Sequence, residues 1–225
     1  MAQALTWREG DVPVSDRFDD PYFSLGNGLA ETRHVFLTGN DLPARFRPGF
    51  HVADLGFGTG LNMLAVTLAW RAAGVAGPLR YTSFEAFPLA AEDVARALAV
   101  FPEARAIADP FLAQWDAQRD ETVCRTIEMD GLQARIIIGD AGQTLAAWDD
   151  RADAWFLDGF SPAKNPELWG ADLMAEVARH TAAQGSFATY TAAGHVRRAL
   201  QAAGFQVERC PGFGNKRHMS VGRMA

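Results

Sequence analysis

The sequence has no long hydrophobic run. None of its 225 residues falls in an apolar stretch that approaches the roughly 18 residues of a membrane-spanning helix. Residues 1–20 also lack the basic-then-apolar order of a signal peptide. Cysteine is scarce, and the two residues present, Cys124 and Cys210, do not have the spacing of metal ligands. These absences predict a reduced, cytoplasmic protein that binds neither a membrane nor a metal ion.

Positive charge is also in short supply, since the formal net charge is −6. Such a value does not by itself indicate a nucleic-acid partner. The charge is uneven, however, because the segment from His195 onward has one acidic residue, Glu208, and many basic ones: Arg197, Arg198, Arg209, Lys216, Arg217, His218 and Arg223. A local basic face can attract phosphate on an acidic protein, since salt confines the field to about 8–10 Å. A phosphate-binding face and an ordinary solvated surface both remain open.

The remaining composition suits one α/β domain with a small extension. Hydrophobic residues make up 48% and charged residues 21%, which is ordinary for a globular protein, and the length allows a sizeable core. We expect an N-terminal extension or lid over residues 1–49 and a nucleotide-binding domain over residues 50–225.

The most informative stretch is a glycine turn between a strand and a helix. Val52 to Leu55 predicts a short buried strand, and the apolar run from Leu61 to Trp70 predicts a helix. Between them, Gly56, Gly58 and Gly60 occupy alternate positions. Glycine tolerates positive φ and has no side chain, so such a turn lets a ligand approach the backbone at the end of the first strand.

Acidic residues at predicted strand ends indicate a nucleoside ligand. With Asp54 at its start, the turn resembles motif I of class I S-adenosylmethionine (SAM) methyltransferases, D/E-x-G-x-G-x-G. The dinucleotide fingerprint instead spaces its glycines G-x-G-x-x-G. Glu85 ends the next predicted strand, where a carboxylate could bind the ribose hydroxyls of either SAM or NAD. Further strands, Leu132–Ile138 and Ala154–Phe160, bring Asp140 and Asp158 to the same edge of the predicted sheet.

Two other segments are less regular. Asn27-Gly28 could form a β-hairpin turn, but the position just before the glycine turn favours a lid that places Tyr22, Asn27 and Glu31 near a substrate. Residues 103–130 predict mainly helix with Trp115 buried.

Several of these stretches together resemble one family. Tyr22–Asn40, Gly56–Asn62, Phe84–Pro88, Trp155–Pro166, Thr191–Arg198 and Gly212–Arg217 are similar to the methyltransferase domain of the bacterial bifunctional tRNA 5-methylaminomethyl-2-thiouridine biosynthesis proteins, the MnmC family. The likeness covers nearly the whole chain. The bifunctional relatives carry a second, FAD-dependent oxidase domain, and the sequence has no second glycine fingerprint. We therefore expect either a stand-alone methyltransferase, whose oxidase partner is a separate protein or is absent, or a fragment of a longer bifunctional chain.

The resemblance implies a Rossmann-like class I SAM-dependent methyltransferase. Its substrate would be the primary amine of 5-aminomethyl-(2-thio)uridine at the wobble position of tRNA. An alkylamine is largely protonated at neutral pH, so a proton must leave before the nitrogen can be methylated. A carboxylate next to the cofactor suits that task, which makes Asp158 the expected catalytic residue. Asp158 could instead orient the amine without taking its proton.

The resemblance also implies two groups of binding residues. The cofactor group, with Glu85 on the ribose and Asp140 on the adenine, is Asp54, Gly56, Phe57, Gly58, Gly60, Asn62, Glu85, Asp140 and Asp158. The substrate group, with its basic members on anticodon phosphates, is Tyr22, Asn27, Glu31, Phe160, Lys164, Asn165, Arg197, Arg198, Lys216 and Arg217.

Two other functions remain open on the residues alone. A SAM-dependent methyltransferase could act on a small-molecule or protein amine, and a Rossmann-like domain could bind a nucleotide without catalysis. A nicotinamide oxidoreductase is disfavoured by the spacing of the third glycine.

Overall fold

The computed structural model describes residues 4–24 and 27–224. A small antiparallel sheet comes first and consists of β1 (Leu5–Arg8), β2 (Val12–Ser15) and β3 (Asp20–Pro21). A short helix α1 (Gly28–Thr32) follows and continues as a π-helix, Arg33–Leu37, and a 3-10 helix, Thr38–Asn40.

The rest of the described chain forms a large sheet flanked by helices. The strands are β4 (His51–Leu55), β5 (Leu79–Glu85), β6 (Cys124–Met129), β7 (Leu132–Ile138), β8 (Ala152–Leu157), β9 (Thr181–Thr189), β10 (Phe205–Pro211) and β11 (His218–Met224). The helices are α2 (Leu61–Ala73), α3 (Ala91–Leu98), α4 (Arg105–Ala117), α5 (Ala141–Thr144), α6 (Ala171–Arg179) and α7 (Gly194–Ala202). No helix in residues 4–24 and 27–224 is long and apolar enough to cross a membrane.

The sheet places the ends of its central strands side by side. Its strand order is β10-β11-β9-β8-β4-β5-β7-β6, in which β9, β8, β4, β5 and β7 are parallel, and β11 and β6 run antiparallel to their neighbours. Leu55 at the end of β4 pairs with Phe84 on one side and Leu157 on the other. The residues that follow these strands therefore meet at one edge.

Burial on both faces of the sheet explains why its two central strands, β4 and β8, are mostly apolar. All residues of β4 and β8 are buried. Phe156 packs into one hydrophobic cluster and Trp155 into the other, since successive side chains point to opposite faces. This arrangement is typical of parallel strands covered by helices on both sides. The predicted Rossmann-like α/β fold is confirmed.

Two local structures differ from patterns in the sequence. Asn27-Gly28 is not a hairpin turn, because Asn27 is the N-cap of α1 and its Oδ1 accepts the backbone N–H of Ala30 at 2.9 Å. Residues 103–130 are helical only in part, since β6 pairs antiparallel with β7. The chain reverses between them at Gly131, whose φ of +73° suits glycine.

Candidate active site

A cavity of about 1180 Å³ opens at the carboxyl edge of the large sheet. Its lining comes from the segment before α1, the glycine turn after β4, the loops after β5, β7 and β8, and the loop between β10 and β11. Pockets for drug-sized ligands usually measure about 300–1,000 Å³. The cavity is therefore large enough for a cofactor and part of a second ligand.

The glycine turn lies against the neighbouring loops without room for side chains. Gly56 has a φ of +90°, and a Cβ there would lie 3.1 Å from the carbonyl oxygen of Asp158. Gly58 has a φ of +53°, and its Cβ would lie 3.0 Å from Cδ1 of Tyr22. A side chain at either position would be strained, so the turn presents bare backbone to the cavity.

Glu85 is fixed by the same turn. Its carboxylate accepts the backbone N–H groups of Gly58 at 2.9 Å and of Phe87 at 2.7 Å. Burial raises the pKa of Glu85, and these N–H groups act against that rise by stabilising the charged form. Glu85 also lines the cavity, where hydroxyl groups of a ligand could bind its carboxylate. Asp140, which follows β7, adds an exposed carboxylate to the same cavity.

Asp158 lies at the centre of a hydrogen-bonded network. The Nδ2 group of Asn62 donates to Oδ2 of Asp158 at 2.9 Å and to Oδ1 of Asp54 at 3.3 Å. The Oδ1 atom of Asn62 accepts the hydroxyl of Thr32 at 3.2 Å. The other Asp158 oxygen accepts the backbone N–H of Gly159 at 2.8 Å. The Asn62 side chain therefore holds both carboxylates.

The environment of Asp158 makes it a better proton acceptor than an ordinary aspartate. Burial raises its pKa to about 6, and the nearby negative charge of Glu31 also raises it. Hydrogen bonds from Asn62 and the Gly159 backbone, together with the positive charge of Lys216, lower the pKa and limit the rise. Asp158 is therefore mostly ionised at neutral pH, yet it can bind a proton and release it.

Asp54 lies behind the cavity and does not line it. It is fully buried, and its Oδ2 accepts the Tyr81 hydroxyl at 2.6 Å and the Ser83 hydroxyl at 3.0 Å. Burial raises the pKa of Asp54 well above its usual range. Asp54 therefore supports Asn62 from the protein interior, and its expected part in cofactor binding stays a prediction.

A second group of side chains lines the cavity near Asp158. The Nζ atom of Lys216 lies 2.7 Å from Oε1 of Glu31 and 4.4 Å from the ring centroid of Tyr190. The hydroxyl of Tyr190 donates to the carbonyl oxygen of Gly159 at 2.6 Å. This bond links the end of β9 to the residue next to Asp158.

The segment before α1 covers the loop that follows β8. Phe18 stacks on Phe160 with ring centroids 4.6 Å apart, and Tyr22 meets the same ring edge-on at 5.1 Å. Asp20 accepts the backbone N–H of Ser161 at 2.8 Å. The N-terminal segment thus contributes an aromatic wall to the cavity.

The structure brings most of the predicted site residues together. The following line the cavity: Tyr22, Asn27, Glu31, Gly56, Phe57, Gly58, Asn62, Glu85, Asp140, Asp158, Phe160, Asn165 and Lys216. The following do not: Asp54, Gly60, Lys164, Arg197, Arg198 and Arg217.

Local packing explains the residues that lie outside the cavity. A Cβ on Gly60 would meet the rings of Phe57 and Phe111, so this glycine serves the packing of α2. Lys164 is bound to the backbone carbonyl of Asp19 and lies 3.1 Å from its carboxylate. Arg197 hydrogen-bonds with the carbonyl of Ala192, next to its own helix. Arg198 and Arg217 are exposed.

Sequence reasoning did not identify Tyr190, Phe18 and Asp20. Tyr190 directly follows β9, so the strand-end argument that found Glu85 and Asp158 could have found it. Phe18 and Asp20 carried no comparable signal, because the small N-terminal sheet places them beside Phe160 and Ser161.

The fold, the glycine turn and the strand-end carboxylates together define a nucleoside-cofactor methyltransferase of the Rossmann-like class. Residues 102–225 match the family model described as S-adenosyl-L-methionine-dependent methyltransferase, and the chain belongs to this family. Its cofactor is therefore SAM.

The curated relatives narrow the family further. The chain is 46% identical over 226 residues to the tRNA 5-methylaminomethyl-2-thiouridine biosynthesis bifunctional protein MnmC of Caulobacter sp. (strain K31), a match covering 96% of this chain and 37% of the relative. It is 44% identical over 227 residues to the protein of the same name from Chromobacterium violaceum, covering 98% of this chain and 34% of the relative. The chain thus spans about a third of the length of these relatives.

A solved structure agrees with this placement. The crystal structure of MNMC2 from Aquifex aeolicus matches with a TM-score of 0.75 and 25% identity, covering 98% of this chain and 70% of that chain. The expected resemblance to the methyltransferase domain of MnmC proteins is confirmed. The expectation of a stand-alone form without an oxidase stays a prediction.

The cavity fits the cofactor. Gly56 and Gly58 line the cavity with positive φ, so the turn presents backbone without side chains to a close-fitting ligand. Glu85 and Asp140 offer carboxylate oxygens at neighbouring strand ends, where hydroxyl and amino donors of an adenosine could bind.

Proposed function

We propose that this chain methylates the primary amine of 5-aminomethyl-(2-thio)uridine at the wobble position of tRNA, giving 5-methylaminomethyl-(2-thio)uridine. The observation that carries the proposal is the Asp158 carboxylate, held by Asn62 beside the glycine turn with its pKa raised to about 6. The printed names of the curated relatives, which concern tRNA 5-methylaminomethyl-2-thiouridine biosynthesis, supply the substrate class.

The cofactor-binding role falls to the glycine turn and the strand-end acids. The backbone at Gly56 and Gly58 would hold the methionine part of SAM, Glu85 the ribose hydroxyls, and Asp140 the adenine amino group. When bound, SAM supplies a methyl group on a positively charged sulfonium sulfur. Residues 1–49 would serve as an extension that covers the cavity of a domain formed by residues 50–225.

Asp158 would act as the general base. An alkylammonium has no free electron pair, so its nitrogen must lose a proton before it can be methylated. An N–H bond breaks and an O–H bond forms on the Asp158 carboxylate, which leaves the electron pair on nitrogen. Asn62 keeps Asp158 in place by its 2.9 Å hydrogen bond, and the proton then passes to solvent.

The substrate side of the cavity suits a base turned out of an RNA loop. Phe160 and Tyr22 offer aromatic faces of the kind on which unstacked bases are bound. Arg198 and Arg217 are exposed and could contact the phosphates of the anticodon loop.

The test is methyl transfer from labelled SAM to tRNA that carries 5-aminomethyluridine. Replacement of Asp158 by Asn should lower kcat by roughly 10²–10⁴-fold, the usual contribution of a general base. The matched control is Asp172→Asn, which changes an exposed aspartate in the first turn of α6 and should leave the rate unchanged.

Three results would count against the proposal. Asp158→Asn could retain full activity, which would remove Asp158 as the base. Transfer could also proceed on tRNA that lacks the aminomethyl group. Finally, the wild type could bind SAM yet methylate no tRNA, which would indicate a different amine substrate.

A further inference from the structure

The protein places one of its own ammonium groups beside the expected catalytic carboxylate. Lys216 Nζ contacts Oε1 of Glu31 at 2.7 Å and lies 4.4 Å from the centre of the Tyr190 ring. The Tyr190 hydroxyl is bonded to the carbonyl of Gly159, next to Asp158. Glu31 and Lys216 lie close enough to Asp158 for their charges to act on it in opposite directions.

A positive charge offsets the two carboxylates of this cluster. Glu31 and Asp158 both line the cavity, and the negative charge of Glu31 disfavours ionisation of Asp158, whereas a positive charge nearby favours it. In the free protein, Lys216 provides this charge. A substrate alkylammonium that reaches Asp158 would bring a charge of the same sign into the same group of acids.

The two partners of the ion pair differ in how firmly they are held. The Glu31 side chain is 11% exposed and belongs to α1, whereas the Lys216 side chain is 48% exposed and belongs to the loop between β10 and β11. The Lys216 end of the pair reaches solvent, so Lys216 can move into water when another cation takes its place at Glu31. The carboxylate is the fixed partner and the ammonium is the exchangeable one.

The choice of lysine at position 216 is notable in this chain. Nineteen of its twenty-one Lys and Arg residues are arginine, and the two lysines are Lys164 and Lys216. Arginine has a broad planar cation, whereas the lysine ammonium is a compact charge at the end of an alkyl chain. The amine of the proposed substrate is also a primary alkylammonium.

We propose that Glu31 and Tyr190 form a binding subsite for a primary alkylammonium, which Lys216 fills until the substrate amine replaces it. The identity of that amine rests on the proposed function. Glu31 binds the ammonium as an ion pair and Tyr190 binds it through its ring face. The subsite positions the amine next to Asp158. Nucleosides that lack a positive charge do not bind it.

The experiment measures binding of the free nucleoside 5-aminomethyluridine to the full chain saturated with S-adenosylhomocysteine, by calorimetry. Lys216→Met should bind the nucleoside about tenfold more tightly than the wild type if Lys216 occupies the subsite about 90% of the time. Arg209→Met is the control, since Arg209 is an exposed cation of β10 outside the cavity, and it should bind like the wild type. Neutral 5-hydroxymethyluridine should gain nothing from either change.

A second variant tests the carboxylate. Adding Glu31→Gln to Lys216→Met should remove the gain in affinity, while the S-adenosylhomocysteine affinity and the Tm confirm that the variant is folded. The proposal is overturned if Lys216→Met binds the amine no more tightly than the wild type. It is also overturned if the neutral nucleoside gains as much, or if the double variant keeps the gain.

Methyl transfer to tRNA by the wild type separates this inference from the proposed function. If the wild type methylates tRNA but Lys216→Met gains no affinity for the nucleoside, the subsite is ruled out and the proposed function is unaffected. A charge-dependent gain without transfer to tRNA would support the subsite and remove the proposed substrate.

Discussion

At the scale of single residues, Asn62 connects the fold to the chemistry. Its amide nitrogen donates to two acids, Asp158 in the cavity and Asp54 in the core. Asp54 is in turn held by Tyr81 and Ser83, so the position of Asp158 is fixed from inside the protein. A carboxylate placed in this way loses little conformational freedom when substrate binds, which favours catalysis.

The pH dependence of methyl transfer should report this arrangement. Ionised Asp158 is the active form and its pKa is about 6, so kcat/KM should rise as the pH increases through 6. The Asn62 hydrogen bond stabilises the ionised form and lowers that pKa. Asn62→Ala should therefore move the acid limb of the profile to higher pH by about one unit, since hydrogen bonds to charged groups contribute about 1.5–3 kcal/mol.

The comparison needs a variant on the same helix. Thr67, a buried residue of α2, donates its hydroxyl to the carbonyl of Met63. Thr67→Ala should leave the acid limb where the wild type has it. If Asn62→Ala also leaves the limb unmoved, then Asn62 does not control the ionisation of Asp158.

At the scale of elements, side chains in the turn between β4 and α2 should weaken cofactor binding as well as lower stability. Gly56→Ala forces a positive φ on alanine and puts a Cβ 3.1 Å from the Asp158 carbonyl. Gly74→Ala also forces a positive φ, of +63°, but with nothing within 4 Å of the Cβ. Both changes should lower the Tm, since unfavourable φ costs about 1–2 kcal/mol per residue.

SAM affinity should separate the two variants. Gly56→Ala should weaken binding at least about tenfold, equivalent to about 1.4 kcal/mol, because the turn itself must shift. Gly74→Ala should bind SAM like the wild type in a calorimetric titration. Equal affinities in the two variants would mean that the backbone of the turn does not contact the cofactor.

The strands of the large sheet could be predicted because their signal is local. β7 was predicted at its observed bounds, and β4, β5 and β8 were placed to within a few residues, since apolar runs ending in Asp or Glu mark buried parallel strands. β6 was missed because it is an edge strand with alternating burial, set by the turn at Gly131. α1 was missed because Asn27-Gly28 suits both a turn and an N-cap.

The site residues likewise divide into those predictable from local sequence and those placed by tertiary packing. Parallel strands share one edge, so the meeting of Glu85, Asp140 and Asp158 could be inferred without coordinates. The pairing of Lys164 with Asp19 could not, because it depends on where the small N-terminal sheet lies. The position of Arg198 likewise depends on where α7 packs against the sheet, and the local sequence of α7 does not predict this.

At the scale of the whole molecule, the cavity draws its lining from both ends of the chain and from most strand ends between them. A ligand there should stabilise the fold broadly. SAM at 100 times its Kd should stabilise the protein by about 2.7 kcal/mol, which raises the Tm of a chain of this size by roughly 5–10 °C. NAD should cause no shift in the same thermal scan, and a larger shift with NAD than with SAM would contradict the assignment of the cofactor.

Because the chain has so few lysines, chemical labelling of its amines can report on the subsite. An amine-selective acylating reagent finds two side-chain targets in 225 residues, Lys164 and Lys216. The hydrogen bond to Glu31 protects Lys216 from such a reagent, and displacement by an aminomethyl nucleoside should expose it. Peptide mass spectrometry should then record faster labelling of Lys216 against a constant rate at Lys164, so subsite occupancy can be measured without turnover or an added dye.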